Sequence, residues 1–572
     1  GACGRACAPA NATGTCGGWL CRPTCAAGFG NCDGADANGC ETDTNVNLAH
    51  CGACGRACTA PANGTASCRG GACEVSCGAG FCAVDGRCVA GTEVVVAPRL
   101  LAPLSTSTVT SRRPTLLWEL PTGVEGARVE VCLDRACTRP VTAFNADGAE
   151  GRPSVDLPDG VLFWRLRGRV RGCTGTPASA TWQFVVPHRR TGVDSSWGTA
   201  PDVNGDGYTD LIVGARGAVY VYPGSAAGLA SSPVTLNGPS GVAGFGRSLS
   251  AAGDVNGDGF GDVVVGTDGA DRVYLYAGGA AGLAATPTPV VAPAGVAGFG
   301  RAVAAAGDID GDGYGDVVVG AETANAAYVF RGSATGLTAS PIALRAGGMG
   351  FGASVREAGD VDGDGLSDVI VGAPTALDGR ERAFIFRGVD LATVTPLERM
   401  TTAGFGHAVA GAGDVNADGR ADVIVGTRQG DIAEVFAGSA AGVAATALAT
   451  FRGTGNYGAS VAGAGDVNGD GIDDLIVGAP GGMGYVEVWQ REASMPHRAA
   501  RRDGGGGLFG AVAAGVGDVN RDGFDDCAVG APGAGRVLVF LGARAGVAST
   551  ALTVNAPSGA TDFGTAIARG PF

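Results

Sequence analysis

The sequence predicts an all-β chain: a seven-bladed β-propeller preceded by a disulfide-rich module and a β-sandwich of fibronectin-III or immunoglobulin type. Three observations predict it. An acidic pattern recurs seven times from residue 202 onward, at near-constant spacing. Fifteen of the 19 cysteines fall before residue 90. The stretch between carries short alternating apolar segments separated by turn signals. A length of 572 residues suits several domains or one large repeat array.

Residues 1–93 form the Cys-rich module. Ala2-Cys3-Gly4-Arg5-Ala6-Cys7 returns as Ala53-Cys54-Gly55-Arg56-Ala57-Cys58, and Cys21 and Cys25 return as Cys73 and Cys77. This cysteine density is that of a stapled scaffold in an oxidising compartment, so a secreted or cell-surface protein is expected. A zinc reading of Cys51, Cys54 and Cys58 is the lesser alternative. Pairing is not deducible from the spacing. A counterpart to Cys51 would lie before residue 1, so the chain is expected to begin inside a larger precursor, whose preceding part the sequence does not reveal.

Residues 94–190 read as the sandwich, with strands expected at 115–120, 127–133, 161–167 and 181–186, three of them carrying Trp118, Trp164 and Trp182. Pro121-Thr122-Gly123 and Pro158-Asp159-Gly160 mark turns. Cys132 and Cys137 are placed to close a short local loop. This part is expected to act as a spacer.

Residues 195–572 hold the repeat. Copies begin at Asp202, Asp254, Asp308, Asp360, Asp414, Asp466 and Asp518. A unit of about 53 residues accommodates four strands, close to a propeller blade. In the second unit these are expected at 248–253, 263–266, 272–277 and 288–292. The triplet Val263-Val264-Val265 lacks alternation, as a strand buried on both faces should.

Each copy opens with Asp-x-Asn/Asp-x-Asp-Gly-x-x-Asp, which gathers oxygen ligands in a tight loop, the requirement of Ca²⁺. The candidate ligands at position 1 are the seven aspartates just named. Position 3 is Asn204, Asn256, Asp310, Asp362, Asn416, Asn468 or Asn520. Position 5 is Asp206, Asp258, Asp312, Asp364, Asp418, Asp470 or Asp522. At position 7 the main-chain carbonyl of Tyr208, Phe260, Tyr314, Leu366, Arg420, Ile472 or Phe524 would serve. Position 9, expected to use both carboxylate oxygens, is Asp210, Asp262, Asp316, Asp368, Asp422, Asp474 or Asp526. An EF-hand closes with Glu at position 12. Here that position is valine in all seven copies, from Val213 to Val529. Up to seven Ca²⁺, one per blade, would set +14 against a formal charge of −15.

Composition excludes several functions. The acidic balance argues against a nucleic-acid partner. All 40 basic residues are Arg, which removes catalytic lysine chemistry, and the four His are widely scattered. No apolar run is long enough for a transmembrane segment. No Gly-x-Ser-x-Gly, His-Glu-x-x-His or phosphate loop is present, so no enzyme is expected. The remaining catalytic route is an acid pair, drawing on residues such as Glu357, in a carbohydrate-active enzyme.

The repeat resembles the FG-GAP repeat of the integrin α-subunit propeller and its bacterial secreted relatives. Its Phe-Gly element stands at Phe245, Phe299, Phe351, Phe405, Phe509 and Phe563, each followed by Gly, with Tyr457-Gly458 as a near match. Gly-Ala-Pro stands at residues 372–374, 478–480 and 530–532. The resemblance implies seven blades, calcium in the blade loops, and ligands on the opposite face. Candidates on that face are Arg216, Asp268, Glu322, Arg380, Arg382, Arg428, Gln429, Arg501 and Arg502. The last Phe-Gly has no acidic loop after it and the first loop has none before it, so the C-terminal strand should close the ring. Trp197-Gly198 is the rival for that place. The expected function is extracellular calcium-dependent adhesion or binding of a protein or glycan. The alternative is an architectural surface or filament component that self-assembles through its N-terminal modules.

Overall fold

The computed structural model describes residues 10–17, 20–78, 81–84, 87–90, 95–103, 109, 111–170, 173–186, 201–346, 349–375, 380–388, 390–400, 404–492 and 495–569. The chain is all-β; helical structure among these residues is two single turns, Glu322–Ala324 and Pro532–Ala534.

Seven four-stranded antiparallel sheets follow residue 201. Sheet 2 holds Leu249–Gly253, Asp262–Gly266, Arg272–Tyr276 and Thr288–Val291 side by side in sequence order. These fall within a residue of the strands expected from sequence. Sheets 3 to 7 repeat the plan, starting from Phe299–Gly307, Ser354–Gly359, Phe405–Gly413, Ser460–Gly465 and Val512–Gly517. Sheet 1 is discontinuous. Its strands Leu211–Ala215, Ala218–Tyr222 and Val234–Asn237 are joined by Ala566–Ile567 from the far end of the chain. Val213 pairs with Ile567 and Gly214 with Ala566. The C-terminal segment therefore takes the position expected of it; Trp197 lies outside the described residues. The first strands pack each against the next, and Ala566–Ile567 touches those of sheets 7 and 2, so the succession is closed.

Burial explains the uniformity. The second strands are buried along their whole length, as in Asp316–Ala321 and Asp474–Ala479. Each aromatic of the Phe-Gly element is fully buried. Phe245 meets Tyr274 and Tyr276 edge-on, and Phe563 meets Tyr220 and Tyr222 in the same way. Gly246 adopts φ 82°, and a Cβ there would meet the Ala215 carbonyl oxygen at 2.5 Å, so the turn requires glycine.

Before the repeats, Gly126–Cys132, Pro140–Asp147, Gly160–Val170, Cys173–Thr174 and Trp182–Val186 form one sheet. Arg99–Ala102, Leu116–Glu119 and Glu150–Gly151 form another. Trp118, Trp164 and Trp182 share their core. The strand Pro140–Asp147 was not expected; half-exposed and opened by proline, it lacks the apolar alternation that marked its neighbours.

In the Cys-rich region the two sequence copies form matching hairpins, Ala12–Gly17 with Leu20–Cys25 and Gly64–Arg69 with Ala72–Cys77. Disulfides join Cys25–Cys40, Cys32–Cys54, Cys51–Cys68, Cys58–Cys73 and Cys77–Cys88. Cys51, Cys54 and Cys58 thus enter three different bonds, which displaces the zinc reading. Cys82–Cys173 ties this region to the sheets beyond it, Cys132–Cys137 closes the expected short loop, and Cys527 is a buried free thiol. No helix among the described residues is long and apolar enough to cross a membrane.

Candidate functional site

Six of the acidic loops join the first and second strands of a sheet, and the loop at 202–210 leads into the second strand of sheet 1 in the same way, so all seven lie on one face of the ring. Within a loop, main-chain N–H groups fix each acid. The position-1 carboxylate accepts from positions 5 and 6 in every loop, as with Asp308 and the amides of Asp312 (3.1 Å) and Gly313 (2.8 Å). The position-5 carboxylate accepts the position-7 amide in every loop, at 2.9–3.2 Å.

Position 9 is at most 1% exposed in all seven. One of its oxygens accepts the position-2 amide throughout, at 2.9–3.1 Å. In six loops the other oxygen accepts a glycine amide beyond the third strand, from Gly224 to Gly542. The expectation that both oxygens are given to a cation is thereby narrowed: in six loops both already accept main-chain hydrogen bonds, and in the fifth Asp422 Oδ1 also accepts the Asn416 amide.

Burial raises these acids. Asp210 and Asp262 are pushed up to about 7, and Asp316, Asp368 and Asp422 to about 8. Desolvation is the main cause and the neighbouring loop carboxylates add to it.

The donor set fits a hard divalent cation. Carboxylate oxygens of Asp308, Asp310 and Asp316 all lie within 4.8 Å of one another, as do those of Asp360, Asp362 and Asp368. In the sixth loop Asp474 Oδ1 is buried with no hydrogen-bond partner, beside Asp466 and Asp470. A buried carboxylate oxygen left unpartnered among like charges is the environment a cation relieves.

Several functional residues escaped the sequence reading. The two loops with Asp at position 3 each have an arginine immediately after the third strand: Arg331 meets Asp310 at 3.1 Å and Arg387 meets Asp362 at 3.0 Å. The other five repeats lack arginine there, a correlation visible in the sequence. Arg135, from the sheets preceding the ring, reaches the Asp414 carboxylate at 3.1 Å and the Gly471 carbonyl at 2.6 Å. Arg99 bonds the Asp522 carbonyl and lies over the Phe524 ring at 4.9 Å. The sandwich-like region therefore sits against the acidic-loop face.

Adjacent loops are also joined to each other. In six loops the position-8 amide donates to the position-1 carbonyl of the preceding loop, as from Gly315 to Asp254 (2.8 Å) and Ser367 to Asp308 (3.1 Å). Thr209 to Asp518 (3.2 Å) closes the circle from sheet 1 to sheet 7. Between loops 5 and 6 the Asp473 carboxylate accepts the Asp414 amide at 2.7 Å, and Asp525 does the same for Asp466 at 2.9 Å.

On the opposite face, most of the expected ligand candidates are engaged. Asp268 pairs with Arg301 (3.0 Å) and Arg247 (3.7 Å), and Glu322 with Arg301 (3.8 Å). Glu398 holds Arg380 and Arg382, and Arg501 pairs with Asp503. Arg216, Arg428 and Gln429 are exposed. Sequence reasoning overlooked four large apolar residues on this face: Met349, Met400, Met483 and Leu508, 43%, 84%, 67% and 55% exposed.

These features define a ring of β-repeats with acidic loops, and the comparisons agree. The FG-GAP-like repeat model matches residues 202–265, 254–319, 308–371 and 360–425, and the FG-GAP repeat model matches 457–489. Human integrin alpha-7 is 41% identical over 148 residues, covering 23% of this chain and 12% of that one. Integrin alpha-PS5 of Drosophila melanogaster is 34% identical over 151 residues, covering 23% and 15%. Chicken integrin alpha-V is 30% identical over 238 residues, covering 35% and 22%. The chain spans less than a quarter of the length of these relatives. The chain carries FG-GAP repeats and resembles, over that part, the integrin α N-terminal propeller.

Proposed function

We propose that this chain is an extracellular, calcium-stabilised propeller that binds a ligand in adhesion. Its seven sheets act as blades of one closed propeller over 195–572, carried by a fibronectin-III or immunoglobulin-like sandwich (94–190) and a disulfide-stapled module (1–93). The observation that carries the calcium reading is the unpartnered buried Asp474 Oδ1 among its loop carboxylates. Positions 1, 3, 5 and 9 with the position-7 carbonyl would hold the ion, which would supply positive charge where the fold buries negative charge. Backbone donors orient the acids, and the loop-to-loop bonds would let each filled loop brace its neighbour.

The role is binding rather than catalysis. Glu357 has Ser367 as its partner, not a second acid. The ligand face is the one opposite the loops, because Arg99 and Arg135 bring the sandwich against the loop face. Its exposed methionines favour a protein ligand over a glycan, since flexible thioethers adapt to apolar partner surfaces. Disulfides among the described residues support an oxidising, extracellular setting.

Equilibrium dialysis with calcium, combined with pull-down and glycan-array binding in calcium or chelator, tests the proposal. Several calcium ions per chain and calcium-dependent capture of a protein are expected. Absence of calcium binding at millimolar concentration overturns it.

A further inference from the structure

The first strands of the ring carry small side chains at their mid-points. Five residues after the Phe-Gly aromatic stands alanine in five sheets and Ser250 in a sixth; sheet 4 alone has Arg356. One position later five sheets have alanine or glycine, whereas sheet 4 has Glu357 and sheet 1 has Arg569. Glu357 turns aside to accept the Ser367 hydroxyl at 3.1 Å.

The two arginines converge on the ring axis. Arg569 Nη1 donates to the Val461 carbonyl at 2.8 Å. Arg569 follows the inner strand of sheet 1 and Val461 belongs to sheet 6, with sheet 7 between them, so the side chain passes along the inside of the ring. Arg356 Nη1 donates to the carbonyls of Val355 (2.8 Å) and Val303 (3.3 Å), the latter on the inner strand of sheet 3. Sheets 4 and 1 are three apart, yet the Arg356 charge helps to depress Arg569, and the short path between them crosses the axis. Burial alone pushes Arg356 down to about 10. The Nε of each is buried without a hydrogen-bond partner, and among the described residues no carboxylate offsets the charge of either.

Two enclosed like charges with only carbonyl dipoles for company are costly, and a guanidinium stays charged at neutral pH. Both residues are only half-buried, unlike the alanines around them. We propose that the ring axis binds a small oxyanion between Arg356 and Arg569. A tetrahedral or carboxylate anion matches the fork of each guanidinium and engages the orphaned Nε–H groups.

Equilibrium dialysis of the calcium-loaded full chain against radiolabelled sulfate, at ionic strength fixed with chloride, tests this. Saturable binding of about one sulfate per chain below about 10 mM is expected, weakened at least tenfold in Arg569→Met and Arg356→Met, with calcium stoichiometry unchanged. Arg569→Met leaves the packing of Phe563 and Ile567 in place, so it serves if Arg356→Met does not fold. No saturable binding by the unmodified chain up to that concentration, or undiminished binding by Arg569→Met, overturns the proposal.

Discussion

Replacing Phe563 by alanine probes ring closure with a single side chain. Phe563 is fully buried, its ring 5.6 Å from that of Tyr220 and 6.4 Å from that of Tyr222. It stands to sheet 1 as Phe245 stands to sheet 2, although more than 300 residues of sequence separate it from its sheet. Removing a buried phenyl ring costs about 3–5 kcal/mol. At about 2.1 cal/mol/K per residue, a ring of roughly 370 residues unfolds with ~0.8 kcal/mol/K, so Tm should fall by about 4–6 °C. Calorimetry at saturating calcium reads the shift. Leu552→Ala is the control, because that side chain is 42% exposed on an outer strand and should cost little. Deleting residues 560–572 should lower Tm further, since sheet 1 loses its inner strand. If Phe563→Ala moved Tm no more than Leu552→Ala, the C-terminal segment would not be the closing strand in solution.

Chelation should lower the ring's Tm by more than about 10 °C, because a site held at 1,000 times its Kd contributes ~4 kcal/mol; an unchanged Tm counts against occupancy. Glu357 is raised to about 8 by burial, so its neutral form suits the fold and stability is lost as pH rises from 4.5 through about 8. Glu357→Gln should match the parent at pH 4 and exceed it by ~2–3 kcal/mol at pH 9, the figure discounted for partial exposure; a pH-independent difference in Tm profiles would refute this. Arg135→Ala frees the Asp414 carboxylate and should tighten one calcium site several-fold in titration calorimetry; identical isotherms would show that the guanidinium does not compete.

The repeat was legible because every unit obeys the same local rules. The acidic loop marks the first turn, the triplet after it the doubly buried strand, and the Phe-Gly aromatic the wedge behind it. Ring closure was readable from order alone, since the C-terminal Phe-Gly had no loop of its own. The contacts that couple units were not readable. Arg135 meets Asp414 across 279 residues, and nothing in the local pattern of either predicts it. Asp473 and Asp525 stand at position 8, which the ligand pattern leaves free; their role in holding the preceding loop depends on how one sheet is rotated against the next. The disulfides were equally opaque, because spacing does not rank the possible pairings. Arg331 and Arg387 differ in kind: their match with Asp310 and Asp362 lay open in the sequence and required only a comparison of positions between repeats.

The loop-to-loop bonds bear on how cations would act. A metal confined to an isolated loop would stabilise only that turn. Here the main chain of each position-1 residue is also held by the next sheet, through Gly261 on Asp202, Ala421 on Asp360 and, at the seam, Thr209 on Asp518. Fixing a position-1 carboxylate therefore also fixes the register between two sheets. Loss of one cation should loosen two junctions rather than one, and calcium should bind with positive cooperativity. Such bonds fasten one face and leave the other, where Met349, Met400, Met483 and Leu508 are exposed, outside the network. A Hill coefficient of one, together with independent loss of each site on mutating its position-1 residue, would show that the loops act separately and that the bonds between them transmit nothing.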